Sequence, residues 1–286
     1  MVGIARTVGV PRGRALVSLI LVPCASATFT VWSSAWLAGA AAPDDVLDAL
    51  GPWAQAHDVV AVDADTARTH SLSSPGAPAG SVTFLLAALR RAAPRGPGRV
   101  VLPAPGDPRG LPGPGPFSRA AMGAGEGVLF ADAGVGIVPA VIADDVLRWT
   151  VYPVPDPGPA PEHVALPQAE RDLRDQVRQS ASVLTSLGVA RHRPGVREEI
   201  AAKLRARPRT LWPDGMPAPA LRVLQHADEV EAILAAASVD EPGGALTASA
   251  AAARREALRP LETAVRVARR AAVTEAVRVL AASPLV

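Results

Sequence analysis

Apolar residues along this chain change their spacing near residue 155. Before that point they come in short unbroken runs, and after it they recur every third or fourth position. The runs ALVSLILV (Ala15–Val22), HDVVAVD (His57–Asp63), RVVLP (Arg99–Pro103), GVLFA (Gly127–Ala131), VGIVPAVI (Val135–Ile142) and LRWTVYPV (Leu147–Val154) have the length of strands. Short apolar runs of this kind suit strands buried on both faces. The last two are joined by ADDV, which predicts a hairpin. Helical spacing lies between the runs. Phe29, Trp32, Trp36 and Ala40 share one helical face, and Pro43, Asp44 and Asp45 read as the first turn of a further helix with Val46, Leu50 and Trp53 as its stripe and a bend at Gly51-Pro52. SVTFLLAALRRA (Ser81–Ala92) and PFSRAAMGAGE, from Pro116, predict two more helices. Alternating strands and helices predict an α/β domain with a mixed, partly parallel sheet over residues 1–154.

The Pro/Gly cluster PDPGPAPEH (Pro155–His163) ends regular structure and predicts a semi-rigid linker over 155–165. An all-helical module then follows over residues 166–286. Leu166, Leu173, Val177, Leu184 and Leu187 line one helix, and Val196, Ile200 and Leu204 the next. A third helix covers Pro217–Ser238. The last runs over Leu246–Ala282 with Leu258, Leu261, Val265, Ala268, Ala272, Ala276 and Val279 on one face. Pro260 falls inside it, so a kink or break after Arg259 is expected.

The opening stretch admits three readings. Arg6, Arg12 and Arg14, the apolar Ala15–Val22 and the small residues Ala25–Ala27 fit an exported chain cleaved after Ala27. A membrane span is opposed by Pro23 and by the hydroxyls of Ser18, Ser26, Thr28, Thr30, Ser33 and Ser34. A soluble core strand followed by a helix accounts for the most detail, and it predicts a cytoplasmic protein with no membrane span.

Composition narrows the chemistry. The cationic residues are 28 Arg and the single Lys203, and Asn is absent, a bias expected of a GC-rich bacterial genome. Net charge is +2, too small to announce a nucleic-acid binder. Residues 1–165 hold 11 Arg and 13 acids, and the remainder holds 18 cationic residues and 14 acids. The lone Cys24 excludes an intrachain disulfide and a cysteine-based zinc site. A P-loop needs a Lys after its glycines, and Lys203 follows no such loop. There is no GxSxG elbow and no HExxH helix. GAGEG (Gly123–Gly127) precedes a strand, whereas a dinucleotide fingerprint opens a helix. The five histidines, His57, His70, His163, His192 and His226, show no metal-ligand spacing.

Three features remain as candidates. In VVAVDADT (Val59–Thr66) an apolar strand ends in Asp-x-Asp, which places two carboxylates at the carboxyl end of a sheet where Mg²⁺ can bind. The motif resembles the first motif of haloacid-dehalogenase-like phosphatases and the metal-binding DxD of nucleotide-sugar transferases. The phosphatase resemblance implies Asp63 as nucleophile and Asp65 as general acid, with Ala67 departing from the family's Thr or Val. Asp144 and Asp145 are further candidate metal ligands, or a hairpin turn. Next comes PAPGDPRGLPGPGP (Pro103–Pro116), a loop after a strand, where Asp107, Arg109 and Ser118 are candidate ligand-binding residues. Arg109 there could hold a carboxylate or phosphate bidentately. Last, arginines cluster in the helical half: Arg191, Arg193, Arg197, Lys203, Arg205, Arg207 and Arg209 in one segment, and Arg255, Arg259, Arg266 and Arg270 on one face of the final helix. That face is a candidate partner-binding surface, although Glu262 could pair with Arg266 as on any solvated face.

The sequence therefore predicts a non-enzymatic protein that binds a small ligand or a protein partner, with self-association through the helical module as one form of the latter. It calls for no cofactor. A metal-dependent phosphatase or nucleotide-sugar enzyme using Asp63 and Asp65, with Mg²⁺, is the alternative. An Arg-mediated nucleic-acid binder is a third, disfavoured because Tyr152 is the one tyrosine and no aromatic platform accompanies the arginines.

Overall fold

Helix α1 (Ala25–Ala38) is buried on every side from Ala25 to Leu37, and the rest of the molecule is arranged around it. The computed structural model describes residues 24–159, 161–186, 195–206, 212–239 and 248–282. Ala15–Val22, Leu187, Arg191, His192, Arg193, Arg207 and Arg209 lie outside them. Among the described residues the order continues α2 (Pro43–Leu50), β1 (Ala56–Ala61), α3 (Ala64–His70), α4 (Val82–Ala92), β2 (Arg99–Val101), α5 (Pro116–Ala124), β3 (Gly127–Phe130), β4 (Val135–Ala143) and β5 (Val146–Pro153). The helical half follows: α6 (Leu166–Ser186), α7 (Val196–Ala206), α8 (Ala218–Val239) and α9 (Ala248–Ala282).

The five strands form one mixed sheet in the order β1-β5-β4-β3-β2. β2 to β5 run as an antiparallel meander, and β1 adds in parallel to β5, with Val59 opposite Trp149. This is the α/β layer followed by helices that the hydrophobic pattern predicts, including the β4–β5 hairpin. One sheet face packs on α1, α2 and α4 through Val59, Val128, Phe130, Ile137, Trp149 and Val151. The other is covered in part by α5, with Phe117 and Ala121 against Leu129 and Val138.

The chemistry of α1 explains its position. Phe29, Trp32 and Trp36 point into the sheet layer, and Phe29 lies 5.0 Å from the Trp149 ring and edge-on to Phe130 at 6.2 Å. Ala27, Val31 and Ala35 on the opposite side face α9 and share one apolar core with Leu173, Val223, Leu224, Val265 and Ala272 of α6, α8 and α9. A helix with no charged side chain and bulky apolar residues on opposite sides is stable only when buried. Most of its hydroxyls have partners: Thr30 donates to the Ser26 carbonyl at 2.6 Å, Ser33 to that of Phe29, Thr28 accepts from the Trp53 indole at 3.2 Å and Ser34 from Gly98 N–H at 2.9 Å, while Ser26 Oγ is buried without one. Bonding to the preceding turn satisfies the Thr30 and Ser33 donors within the helix. At the C-terminal end Gly39 adopts φ +82 and Arg90 stacks 3.9 Å over Trp36 while donating to its carbonyl.

The N-terminal end is held by a charge. Glu126, in the α5–β3 connection, is buried and accepts from Ser26 N–H at 2.8 Å, with the buried Cys24 thiol beside it. A carboxylate at this end satisfies an otherwise orphan N–H and faces the positive end of the helix dipole. Nearby, Arg269 of α9 is buried and bonds Glu231 at 2.8 Å and Asp228 at 2.6 Å. Burial opposes the Arg269 charge, and the surrounding acids, Glu231 foremost and Asp228 with it, together more than offset this, so the guanidinium binds its proton more tightly than usual.

Two readings need correction. α9 passes through Pro260 as one helix of 35 residues, so of the kink or break expected there the break does not occur. The chain after Val62 also does not stay extended: Asp63 caps α3, a helix the sequence reading does not include. Ala25–Ala27 form the first turn of α1, and no helix among the described residues is long and apolar enough to cross a membrane.

Two outcomes test this account. A Cβ on Gly136 of β4 would lie 2.2 Å from the Phe117 ring, so Gly136→Ala should destabilise the chain by about 1–3 kcal/mol in urea unfolding, and an unchanged midpoint would show that the ring can move aside. Burial drives the Glu126 carboxyl above its ordinary 4.5, against opposing bonds from Ser26 and Cys24 and the charge of Arg269. An acid raised on folding holds its proton more tightly in the native state, so its contribution to stability falls as pH rises through that window. Glu126→Gln lacks this titration, and its stability relative to wild type should rise from pH 4.5 towards neutral; a flat or inverted difference would refute the assignment.

Candidate ligand-binding cleft

The aspartates of VVAVDADT are occupied locally. Asp63 accepts from Thr66 N–H at 2.7 Å as the N-cap of α3, and that bond holds its carboxyl below the usual range. Asp65 pairs with Arg68 on the exposed side of the same helix. Asp144 and Asp145 form the β4–β5 turn, where Asp145 has φ +56 and its carbonyl accepts from Ala56 N–H. Ala56 begins β1 and Asp63 follows its end, so the two aspartate pairs lie at opposite ends of that strand. They do not converge. Among the described residues no group of three or more His, Cys, Asp or Glu could hold a metal ion.

The Pro/Gly loop and the arginine stripe, read separately in the sequence, are brought together. Ala104 and Asp107 exchange backbone hydrogen bonds of 3.0 and 2.8 Å around Pro105-Gly106, with Gly106 at φ +80. Proline followed by a left-handed glycine is the chemistry of a type II turn. The Asp107 carboxylate takes Arg109 bidentately at 2.6 and 2.8 Å and Arg266 of α9 at 3.1 Å. These guanidinium bonds hold Asp107 well below the carboxylate range. One turn further along α9, Arg270 donates to the Arg109 carbonyl at 3.1 Å. Ser118, in the first turn of α5, donates to the Gly113 carbonyl and closes the loop. Arg109 therefore grips Asp107, and Arg266 pairs with Asp107, 159 residues away, instead of the expected Glu262. Arg255 and Arg259 are exposed nearer the start of α9, with Arg259 paired to Glu256 at 2.9 Å, and they take no part in this cluster.

Beside this latch of Asp107 with Arg109 and Arg266 lies a cleft of about 510 Å³ between β2, the end of β3, the linker around His163 and the second half of α9. Its walls include Val100, Leu129, Val164, Val267, Ala271 and Val277. Arg99 from β2 and Arg270 from α9 supply its half-buried charges. Arg99 Nε is buried with no hydrogen-bond partner. Burial lowers the proton affinity of both guanidinium groups, and the neighbouring Arg109 adds to this at Arg270. Arg278, also in the wall, is exposed and paired with Glu275 at 2.7 Å. Asp132 and Glu162 line the cleft too, but both are exposed and neither makes an ion pair with Arg99 or Arg270.

Sequence reasoning singles out Arg270 but not Arg99, Thr274 or the linker as parts of one site. Arg99 sits at the mouth of a short apolar run, and nothing local says that α9 will face it. Glu126 and Arg269 are likewise invisible as a buried set, since each looks like an ordinary surface charge in its own segment.

These features define a protein with an α/β layer, a helical C-terminal region and an arginine-bearing cleft where the two meet. The chain belongs to the Rv1486c-like protein family: the N-terminal domain of that family matches residues 26–165 and its C-terminal domain residues 167–282. It is 40% identical over 282 residues to the uncharacterized protein Rv1486c of Mycobacterium tuberculosis (strain H37Rv), covering 88% of this chain and 96% of that one. It is 33% identical over 287 residues to the uncharacterized protein ML1804 of Mycobacterium leprae (strain TN), covering 87% and 96%. The match to the uncharacterized protein MAV321 of Mycobacterium avium is 35% over 297 residues, covering 88% and 96%. No solved structure matches the chain.

The latch makes its own prediction. A carboxylate depressed on folding stabilises the native state above its ordinary pKa, and this is lost as pH falls through the folded value. Asp107→Asn should cost about 1–3 kcal/mol near neutral pH in urea unfolding, and the gap to wild type should close in acid. A gap that persists unchanged at low pH would show that the Asp107 charge is not what holds the loop.

Proposed function

We propose that this protein is a non-catalytic binding protein and that a small ligand sits in the cleft between β2 and α9. The observation that carries the reading is the cleft itself, about 510 Å³ with mainly apolar walls and few, localised polar groups, at the junction of the sheet and helical parts. Ligand sites in proteins are commonly concave, mostly apolar, of about 300–1,000 Å³ and set between structural units. The walls come from segments far apart in the sequence, so a ligand there touches the sheet edge, the linker and α9 at once. The metal-enzyme alternative is supported by no convergence of Asp63 and Asp65 with other ligands. The same reading disfavours a cut after Ala27, because it would remove the Ser26 amide that Glu126 caps; a cytoplasmic location belongs to the proposal.

A neutral apolar fluorophore tests the cleft without presupposing any charge. N-phenylnaphthylamine should brighten on titration with the full chain. Thr274 is an exposed position on the α9 wall, so Thr274→Trp should fill the cleft without disturbing the core and suppress the signal. No enhancement with wild type, or equal enhancement with a normally folded Thr274→Trp variant, would overturn the reading.

A further inference from the structure

We propose that the ligand of this cleft is an amphiphile with one anionic head, a carboxylate or phosphate on an apolar chain, held between Arg99 and Arg270; this rests on the cleft being the binding site. The argument starts from charge balance. Arg99, Arg109, Arg266 and Arg270 cluster where loop 103–115 meets α9, and their electrostatic contacts with one another are mutually unfavourable at Arg270. One carboxylate, Asp107, serves this group, and it is bonded by Arg109 and Arg266. Arg270 has a neutral carbonyl as its bonded acceptor, and Arg99 pairs with no carboxylate among the described residues. A half-buried guanidinium without a counter-charge is unfavourable, because it has lost part of its hydration and gained no anion in return. An anion entering the cleft supplies that counter-charge, and a planar fork suits a carboxylate or phosphate.

The rest of the ligand follows from the walls. Val100, Leu129, Val267, Ala271 and Val277 offer dispersion contacts and no hydrogen bonds, as an alkyl chain requires. Among the described residues no Phe, Tyr or Trp lines the cleft, so the large stacking surface that favours a nucleotide base is lacking. A cation would meet Arg99 and Arg270 directly. The anchoring arginines sit on β2 and α9, so the head group bridges the sheet and helical parts of the chain.

The test is displacement of N-phenylnaphthylamine from the full chain by decanoate, decyl phosphate, decanol, decylammonium and inorganic phosphate, each below its aggregation concentration. Decanoate or decyl phosphate should bind at least about tenfold more tightly than decanol, equivalent to about 1.4 kcal/mol, and decylammonium more weakly than decanol. Whichever of the two anions binds more tightly identifies the head group. Arg99→Gln and Arg270→Gln should each remove most of that advantage while leaving decanol unchanged, a pattern that a folding defect would not produce. Decanol matching both anions in wild type would overturn this proposal and leave the cleft as a neutral apolar site. Inorganic phosphate binding as tightly as decyl phosphate would overturn the apolar-chain part. If the fluorophore itself fails to bind, the cleft reading falls and this proposal with it.

Discussion

Everything in this fold depends on burying α1 completely and satisfying both of its ends. A helix surrounded by sheet on one side and helices on the other cannot leave its terminal amides to water, so the chain must supply partners from elsewhere. Glu126 does so at the first turn and Arg90 at the last. Because Glu126 sits between α5 and β3, the sheet cannot shift against α1 without uncapping it. Arg269, with Glu231 and Asp228, ties α9 to α8 beside the same end. Breaking one partner of such a buried set leaves an uncompensated charge, which is far more damaging than the net stabilisation of the intact set.

That constraint also produces the cleft. α9 is 35 residues long, about 50 Å, whereas β2 is three residues. Where α9 crosses α1 and the start of β2, the packing closes through Val265, Ala268 and Ala272 against Val31, Ala35 and Val100. Further along, α9 runs past the sheet edge, and the gap is walled by the linker. The Pro/Gly loop is fastened to the near side by Asp107 and Arg266, so the arginines at that end are held in place instead of being free to seek solvent. A rigid edge and an overhanging helix thus create a concave surface with fixed charges.

The pattern of positions carried much of the architecture. The strands at His57, Arg99, Gly127, Val135 and Leu147, the helix at Ser81 and the stripe of Leu261, Val265, Ala268, Ala272 and Ala276 are local facts, because period and run length follow from backbone geometry alone. The hydroxyl-rich helix from Ala25 was legible from Phe29, Trp32 and Trp36, although its all-round burial was not. The turn into α3 was missed because Asp63 served equally as a strand end and a helix cap, and only Thr66 N–H distinguishes them.

What the sequence by itself determined is the set of elements and their apolar faces, since these depend on neighbours a few residues apart. It also set the stock of charges, almost all of the positive ones arginine. Tertiary structure alone decided which charges meet. Arg266 pairs with Asp107 instead of the nearby Glu262, Glu126 finds a helix end 100 residues away, and Arg99 and Arg270 come to line one cleft. Charge pairing acts through space over a few ångströms, and the chain distance between partners leaves no periodic trace. The candidate site is therefore a property of how α9 lies across the sheet edge, and no single segment contains it.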